Sequence, residues 1–364
     1  MVISSLRTAA FRNLADAEVD VSAKNVFLVG ENGQGKTNFL EALYFCSYAS
    51  SFRGARDNEI VQNQQKDFSA AITLVNQVSE AGIFSKVLVK YEKGKKTVLI
   101  DGKKAEDRKE LLSVNPCIVF CHEDMEFVAG SQERRRWFFD QVLSLYDPVY
   151  LDDLRRYRRS LKMRNSALRE QPQDALLDAL DQQCAMYGIR LMEKREMAVR
   201  LFSGVFAHLY EEVTGFSGMG VNYAPSWKAP GEEEAMSLLS RRRSVDLSAG
   251  ISLSGPHRDR YAFTMNGTEF AGSASTGQRR LLALLLRVAQ ARRYTSTTGR
   301  NPILLLDDVL LEMDGEKRRR FLLALPGYDQ AFFTFLPEEP FQRYRDGNTL
   351  VYHVRNGMTI PEEQ

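Results

Sequence analysis

The sequence predicts an α/β fold whose sheet domain is split along the chain and interrupted by an inserted helical domain. Three observations predict it. A glycine-rich loop at 30–37 stands between an apolar strand and a helix. An unbroken aliphatic run, Ile303-Leu304-Leu305-Leu306, ends in two carboxylates and reads as a buried parallel strand. Between them, from about 131 to 215, apolar residues recur at helical spacing. On this reading 1–128 forms the first part of the sheet domain, 129–250 the helical insertion and 251–364 the returning part.

The first part alternates short strands and turns, at 2–10 and 19–21. A compact apolar strand at 25–29 enters the glycine loop, and a helix leaves it over about 36–47, with Phe39, Leu40, Leu43 and Tyr44 at helical spacing. Segments 69–74, 83–91 and 97–100 read as antiparallel strands, their turns supplied by Lys93-Gly94-Lys95 and Asp101-Gly102-Lys103. A short apolar strand follows at 118–120. In the insertion, Leu151, Leu154, Leu161 and Leu168 fall near one heptad seam. Cys184, Gly188, Leu191, Ala198, Phe202, Val205 and Leu209 step by threes and fours along another. Two or more long helices packed on each other, a short coiled-coil-like domain, explain this pattern. Strand character returns at 220–223, 251–253 and 261–265, and a strong helix spans about 278–294. Strands at 303–306, 331–335 and 349–354 close the sheet.

Bulk properties exclude several classes. At 364 residues, with 44% hydrophobic and 26% charged residues, the chain has an ordinary globular composition and enough length for a sizeable core. A net charge of +2 selects no partner by itself. Four cysteines (Cys46, Cys117, Cys121, Cys184) do not make a disulfide framework and fit buried thiols in a reducing cytosol. Cys117, Cys121 and His122 cluster, but structural zinc needs four ligands and no second pair stands nearby. No apolar run approaches the roughly 18 residues that span a bilayer. The start of the sequence lacks a signal-peptide core, so a soluble, cytoplasmic protein is expected.

Gly30-Glu31-Asn32-Gly33-Gln34-Gly35-Lys36-Thr37 matches the Walker A pattern, with strand before and helix after. Glycines let the backbone curl so that successive N–H groups face a phosphate, and the helix N-terminus adds its positive end. Lys36 offers a point charge to the β- and γ-phosphates of ATP, and Thr37 a hydroxyl to Mg²⁺. The acidic strand end has the form of Walker B: Asp307 is placed to hold Mg²⁺, and Asp308 to orient or deprotonate the attacking water. The long separation of the two motifs is itself informative, because most P-loop enzymes place them closer. A third motif, Ser275-Thr276-Gly277-Gln278, precedes the long apolar helix and offers a hydroxyl and backbone N–H groups to an anion.

Together these motifs resemble an ABC-type P-loop ATPase head, where a Ser-x-Gly-Gln signature stands shortly before Walker B. Further stretches are similar to the RecF family within the ABC/SMC-like superfamily: Phe11-Arg12-Asn13-Leu14, Ser51-Phe52-Arg53, His122-Glu123-Asp124-Met125-Glu126 and Glu133-Arg134-Arg135-Arg136. So do Tyr157-Arg158-Arg159-Ser160-Leu161-Lys162 with Arg164-Asn165, and Ser254-Gly255-Pro256-His257-Arg258-Asp259. The resemblance covers nearly the whole chain, and the insertion is too short for SMC arms. It implies that Arg12 and Asn13 flank the adenine side, that Glu123 stands where relatives carry the Q-loop Gln, and that Asp314 is the D-loop residue. It also implies that Ser275, Gly277 and Gln278 complete the ATP site of a second copy, making an ATP-dependent homodimer. Leu311 in place of a D-loop Ser, Phe335-Leu336 in place of a threonine run after Thr334, and Arg260 in place of an acid depart from the family pattern. They bear on hydrolysis rate more than on ATP binding.

Arg134, Arg135 and Arg136, then Arg155, Arg156, Arg158, Arg159, Lys162 and Arg164, give the insertion a basic surface, with Arg155, Arg159 and Lys162 on one helix face. Such a stripe tracks phosphates without reading bases. The run Arg241-Arg242-Arg243 reads as an exposed loop. The family resemblance implies a weak, DNA-stimulated ATPase of recombinational DNA repair and replication that acts at single-strand gaps. RecR and RecO would be its partners in helping RecA and the SOS response. A head that binds ATP with little hydrolysis is the alternative. A transporter subunit is disfavoured by the basic insertion and the lack of transporter-like coupling sequence.

Overall fold

The computed structural model describes residues 2–75, 84–170, 173–270, 272–310, 313 and 315–362. The D-loop candidates Leu311 and Asp314 lie outside the described residues. Two compact units emerge, Met1–Asp124 with Tyr294–Gln364, and Met125–Arg293. The Ser275–Gln278 segment and the helix after it therefore group with the inserted unit.

The first unit holds two sheets. One is antiparallel, in the order Ala17–Asp20, Val2–Ala9, Phe68–Val75, Phe84–Glu92, Lys95–Ile100, Lys103–Lys104. The other runs Met358–Pro361, Thr349–Arg355, Asn25–Val29, Ala331–Phe335, Ile303–Leu306, Cys117–Phe120. All its neighbours are parallel except the outer pair, Thr349–Arg355 and Met358–Pro361. Asn25–Val29, Ala331–Phe335, Ile303–Leu306 and Cys117–Phe120 are buried at every position, as their largely apolar runs require, with Asn25 and Thr334 the polar exceptions. Helix Lys36–Tyr48 contributes Phe39, Leu40, Leu43 and Phe45 to the core that also holds Val26, Leu28 and Ile72.

The parallel strands share one consequence. Their carboxyl ends lie on one side: Val29 pairs with Phe335 and Leu306 with Phe120, while Leu306 stands opposite Phe333, two residues short of its strand's end. The loops that leave them must gather at one edge of the sheet, where α/β folds hold their ligands.

The second unit is mainly helical: Gln132–Tyr146, Pro148–Ala167, Asp174–Thr214, Glu232–Ala249 and Thr276–Thr298. Met219–Ala224, Arg260–Met265 and Thr268–Glu269 form a small antiparallel sheet. Asp147 makes the corner between the first two helices. Its N–H donates to the Leu143 carbonyl at 2.9 Å, closing one helix, and its carboxylate accepts from the Tyr150 N–H at 2.8 Å, capping the next. Pro148 at the first helical position needs no donor there. Along Asp174–Thr214, the buried positions Leu177, Leu180, Cys184, Gly188, Leu191, Arg195, Val199, Phe202, Phe206, Leu209 and Val213 step by threes and fours. Gly188 is glycine for space: a Cβ there would stand 2.5 Å from the Trp227 ring.

Three local expectations are corrected. Residues 251–253 form no strand, because side chains take their backbone donors: Asn165 Oδ1 accepts from the Ser252 N–H at 2.8 Å, and Asp246 Oδ1 from the Leu253 N–H at 3.1 Å. Arg241-Arg242-Arg243 lies inside helix Glu232–Ala249, where Arg243 pairs with Asp178 and Asp181, each at 2.7 Å. Arg135 and Arg164 are buried and leave the basic surface. Arg164 joins Asp181 at 2.6 Å and Asp246 at 2.8 Å, while Arg135 donates to the backbone carbonyls of Tyr261 and Val128.

All four cysteines are free and buried. Burial pushes the Cys184 thiol up to about 12 and raises that of Cys46 as well, so neither behaves as a ready nucleophile. No metal-holding cluster of His, Cys, Asp and Glu occurs among the described residues, and no described helix is long and apolar enough to cross a membrane.

Candidate functional site

The loop 30–37 leaves the buried strand Asn25–Val29 and enters helix Lys36–Tyr48, so its shape is set at both ends. Gly30 sits against the neighbouring strand, where a Cβ would meet the Val354 carbonyl oxygen at 2.5 Å. Gly35 has φ +120°, a conformation closed to ordinary side chains, and this turns the chain into the helix. Gln34 ties the loop to the last hairpin: its Oε1 accepts from Asn356 N–H at 2.7 Å and its carbonyl from Gly357 N–H at 2.8 Å. Lys36 is buried, its Nζ donating to the carbonyls of Gly30 at 2.6 Å and Glu31 at 3.1 Å.

Across from the loop stands the end of strand Ile303–Leu306. The Asp307 N–H donates to the Phe120 carbonyl at 2.9 Å, which fixes where its carboxylate points. The Thr37 hydroxyl donates to Asp307 Oδ1 at 3.0 Å. Thr334, on the adjacent strand, places its Oγ1 3.2 Å from Asp307 Oδ1 and 3.0 Å from Asp308 Oδ1, and accepts from the Asp308 N–H at 2.7 Å. Asp308 adopts φ +50°, a left-handed conformation that Asp tolerates better than most residues. This turn carries its carboxylate to the same side as Asp307 instead of the opposite face of the pleat.

Burial, together with the neighbouring Asp308 and Glu123 charges, pushes the Asp307 carboxyl up to about 7. Two crowded carboxylates and a hydroxyl form an oxygen-rich corner that a hard divalent cation would relieve. A pocket of about 440 Å³ joins these groups, lined among others by Gly33, Lys36, Thr37, Glu123, Asp307 and Asp308.

Arg12 and Asn13 border the loop. Arg12 holds Glu41 through two bonds of 2.9 Å and donates to the Glu59 carbonyl at 2.8 Å. Asn13 donates to the Gly33 carbonyl at 3.2 Å and accepts from Asn38 at 2.7 Å. The sequence reading missed Glu41, Asn38 and Thr334. Glu41 is wholly buried in the helix behind the loop, where it also accepts from Ser51 and faces Arg53 at 3.7 Å. A lone acid inside an apolar helix was the available signal. Thr334 stood in a segment read only for the threonines it lacks. Phe335 follows it into an edge-to-face contact with Phe27 at 5.0 Å.

In the other unit, Ser275 and Gln278 form a reciprocal cap. Gln278 Oε1 accepts from the Ser275 N–H at 2.8 Å, and Ser275 Oγ from the Gln278 N–H at 3.3 Å. Ser275, Gly277 and Gln278 are all exposed, so this helix tip is presented to solvent. Arg159 and Lys162 are exposed on helix Pro148–Ala167, and Arg155 is partly exposed, 4.0 Å from Asp152.

A parallel sheet with a Walker A loop, a paired acidic strand end and a helical insertion defines an ABC/SMC-type P-loop head. The N-terminal domain family of RecF, RecN and SMC proteins matches residues 2–360. The DNA replication and repair protein RecF of Treponema pallidum is 44% identical over 350 residues, covering 95% of this chain and 97% of that one. RecF of a Synechococcus strain is 30% identical over 378 residues, covering 100% and 98%. A solved structure of the recombination mediator RecF with ATP, in the RecFOR pathway, superposes with a TM-score of 0.90 at 26% identity, covering 100% and 98%. An Smc head bound to the winged-helix domain of ScpA shares the fold at a TM-score of 0.55 and 14% identity. The chain belongs to the RecF family of DNA replication and repair proteins.

Proposed function

We propose that this chain is an ATP-driven, DNA-associated switch of recombinational repair, with weak DNA-stimulated hydrolysis. The observation that carries the reading is the convergence of Lys36, Thr37, Asp307 and Asp308 on one pocket at the carboxyl edge of the parallel sheet, with Thr334 hydrogen-bonded to both carboxylates. The relative solved with ATP supports nucleotide as the ligand.

In this reading Lys36 exchanges its two carbonyl partners for β- and γ-phosphate oxygens, and the N–H groups of 31–35 turn toward the same charge. Thr37 and Asp307 fit Mg²⁺, which supplies charge neutralisation at the phosphates. Asp308 orients the attacking water and accepts its proton, and Thr334 keeps that carboxylate aimed. The exposed tip at Ser275, Gly277 and Gln278 serves the γ-phosphate held by a second copy, so nucleotide joins two heads. Arg155, Arg159 and Lys162 contact duplex phosphates near a single-strand gap, independently of sequence. RecR and RecO are the expected partners in assisting RecA, in the cytoplasm.

A head that binds ATP with little turnover is favoured by the placement of Phe335 in an edge-to-face aromatic contact with Phe27 instead of the pocket. Phosphate release measured with and without duplex DNA separates the two. Stimulation supports the switch; its absence, with ATP binding intact, supports the second reading.

A further inference from the structure

Three of the stretches singled out in the sequence play no part in the nucleotide pocket: Glu133-Arg134-Arg135-Arg136, Tyr157-Arg158 and Pro256-His257-Arg258. They come from a helix, its neighbour and a short turn, far apart in sequence. In the helical unit all of these residues except Arg135 and Pro256 line one cleft of about 740 Å³.

The chemistry of this cleft is specific. Its floor is a closed ion network. Arg195 pairs with Asp140 at 2.7 Å and Asp259 at 2.8 Å, and Arg158 reaches Asp140 at 3.1 Å, so the acid there is already committed. Arg136 donates to the Asp259 backbone carbonyl at 2.8 Å and lies in the field of the Asp259, Glu133 and Asp140 carboxylates. Arg134 and Arg258 are exposed and make no side-chain hydrogen bond or ion pair among the described residues. Several guanidinium groups thus face one space that also holds the carboxylates of Glu133 and Asp140, and burial, then the Arg195 charge, depresses the Arg136 pKa against the pull of Asp259, Glu133 and Asp140.

The rim supplies an aromatic surface. Trp137 is 37% exposed, lines the cleft and is backed by Phe127, stacked at 5.6 Å. A braced indole beside guanidinium groups is the combination that holds an unpaired nucleobase and its phosphates. The helix that supplies Arg158 also carries Arg155, Arg159 and Lys162, so the charge of the cleft continues into the basic stripe.

We propose that this cleft is a second nucleic-acid site, taking an unpaired strand with its phosphates on Arg134, Arg136 and Arg258 and a base on Trp137. It rests on the DNA-associated reading above and adds to it a strand type and a location.

The chain has two tryptophans, and Trp227 is 1% exposed, so fluorescence quenching by an added strand reports Trp137. Oligo-dT should quench it at low salt, and Trp137→Phe should abolish the change. Arg134→Ala with Arg258→Ala should weaken oligo-dT binding about tenfold or more and lower the salt slope by about 0.7 per arginine. Melting temperature and labelled-ATP binding should not move in that variant. Duplex binding followed by anisotropy should instead fall with Arg155→Ala and Lys162→Ala. No quenching by oligo-dT, with duplex binding intact, overturns the cleft proposal alone. Equal quenching by polyglutamate overturns it in favour of an acidic peptide, and equal quenching by duplex in favour of one continuous duplex site. Loss of both strand types in the wild-type chain overturns the DNA reading itself.

Discussion

Lys36, Asp308 and His257 show how much a single side chain's surroundings decide. Lys36 is held inside its loop by two carbonyls, so its position is prepared before any phosphate arrives. Charge-assisted bonds contribute about 1.5–3 kcal/mol each, so Lys36→Ala should weaken ATP binding by roughly tenfold to a hundredfold, read by fluorescent-nucleotide titration. ATP-driven pairing should vanish with it. Asp308→Asn keeps the shape beside Thr334 and removes the base; hydrolysis should fall by about 10²–10⁴ while an ATP-bound dimer accumulates on gel filtration. His257 is held between the Tyr157 hydroxyl at 2.8 Å and the Ser252 carbonyl at 2.9 Å, and burial lowers its pKa from 6.5 to about 4. Above 6.5 both folded and unfolded states are neutral. As pH falls from 6.5 toward 4 only the unfolded state gains the proton, so stability declines by up to about 3 kcal/mol. His257→Gln should flatten the acid side of a urea-midpoint against pH curve.

Elements in this chain are held by features that linear patterns mark only in part. The long helix Asp174–Thr214 was legible from its three-four periodicity, and its buried face follows that seam except at Ala198 and Val205, where Val199 and Phe206 are buried instead. What periodicity could not show is that Gly188 is small because a rigid indole occupies the space. Gly188→Ala should destabilise the helical unit by about 1–3 kcal/mol in chemical denaturation, whereas Gly204→Ala, which meets nothing within 4 Å, should be neutral or mildly stabilising. Basic runs misled for a related reason. Arg164 and Arg159 stand in one run, yet Arg164 is wholly buried between two aspartates and Arg159 is exposed. Removing Arg164 leaves Asp181 and Asp246 partly uncompensated, so Arg164→Ala should cost about 3–5 kcal/mol. Arg155→Ala, at a surface pair, should cost under about 1 kcal/mol. The false strand at 251–253 has the same origin: its apolar residues fit a strand, but Asn165 and Asp246 had already claimed the backbone.

For the whole molecule, the decisive question is assembly. The two sequence-distant P-loop motifs meet within one unit, while the Ser275 tip belongs to the other and is open to solvent. An exposed, self-capped helix tip with glycine after its threonine is suited to meeting an anion brought by another molecule. Ser275→Arg should leave single-chain nucleotide affinity unchanged and hold the protein as a monomer with ATP on gel filtration. A normal ATP-induced dimer in that variant would remove the sandwich from the reading.

Most strand positions, the phosphate loop and the acidic strand end were determined by the sequence itself. They rest on local rules: backbone curl needs glycine, a doubly covered strand needs an aliphatic run, and helix faces repeat every three or four residues. Tertiary structure alone decided which charges are buried, where Thr334 and Glu41 act, and that three arginine-bearing stretches share one cleft. The physical reason is that burial and pairing depend on what the rest of the chain brings alongside. A guanidinium reads the same in sequence whether water or a carboxylate surrounds it.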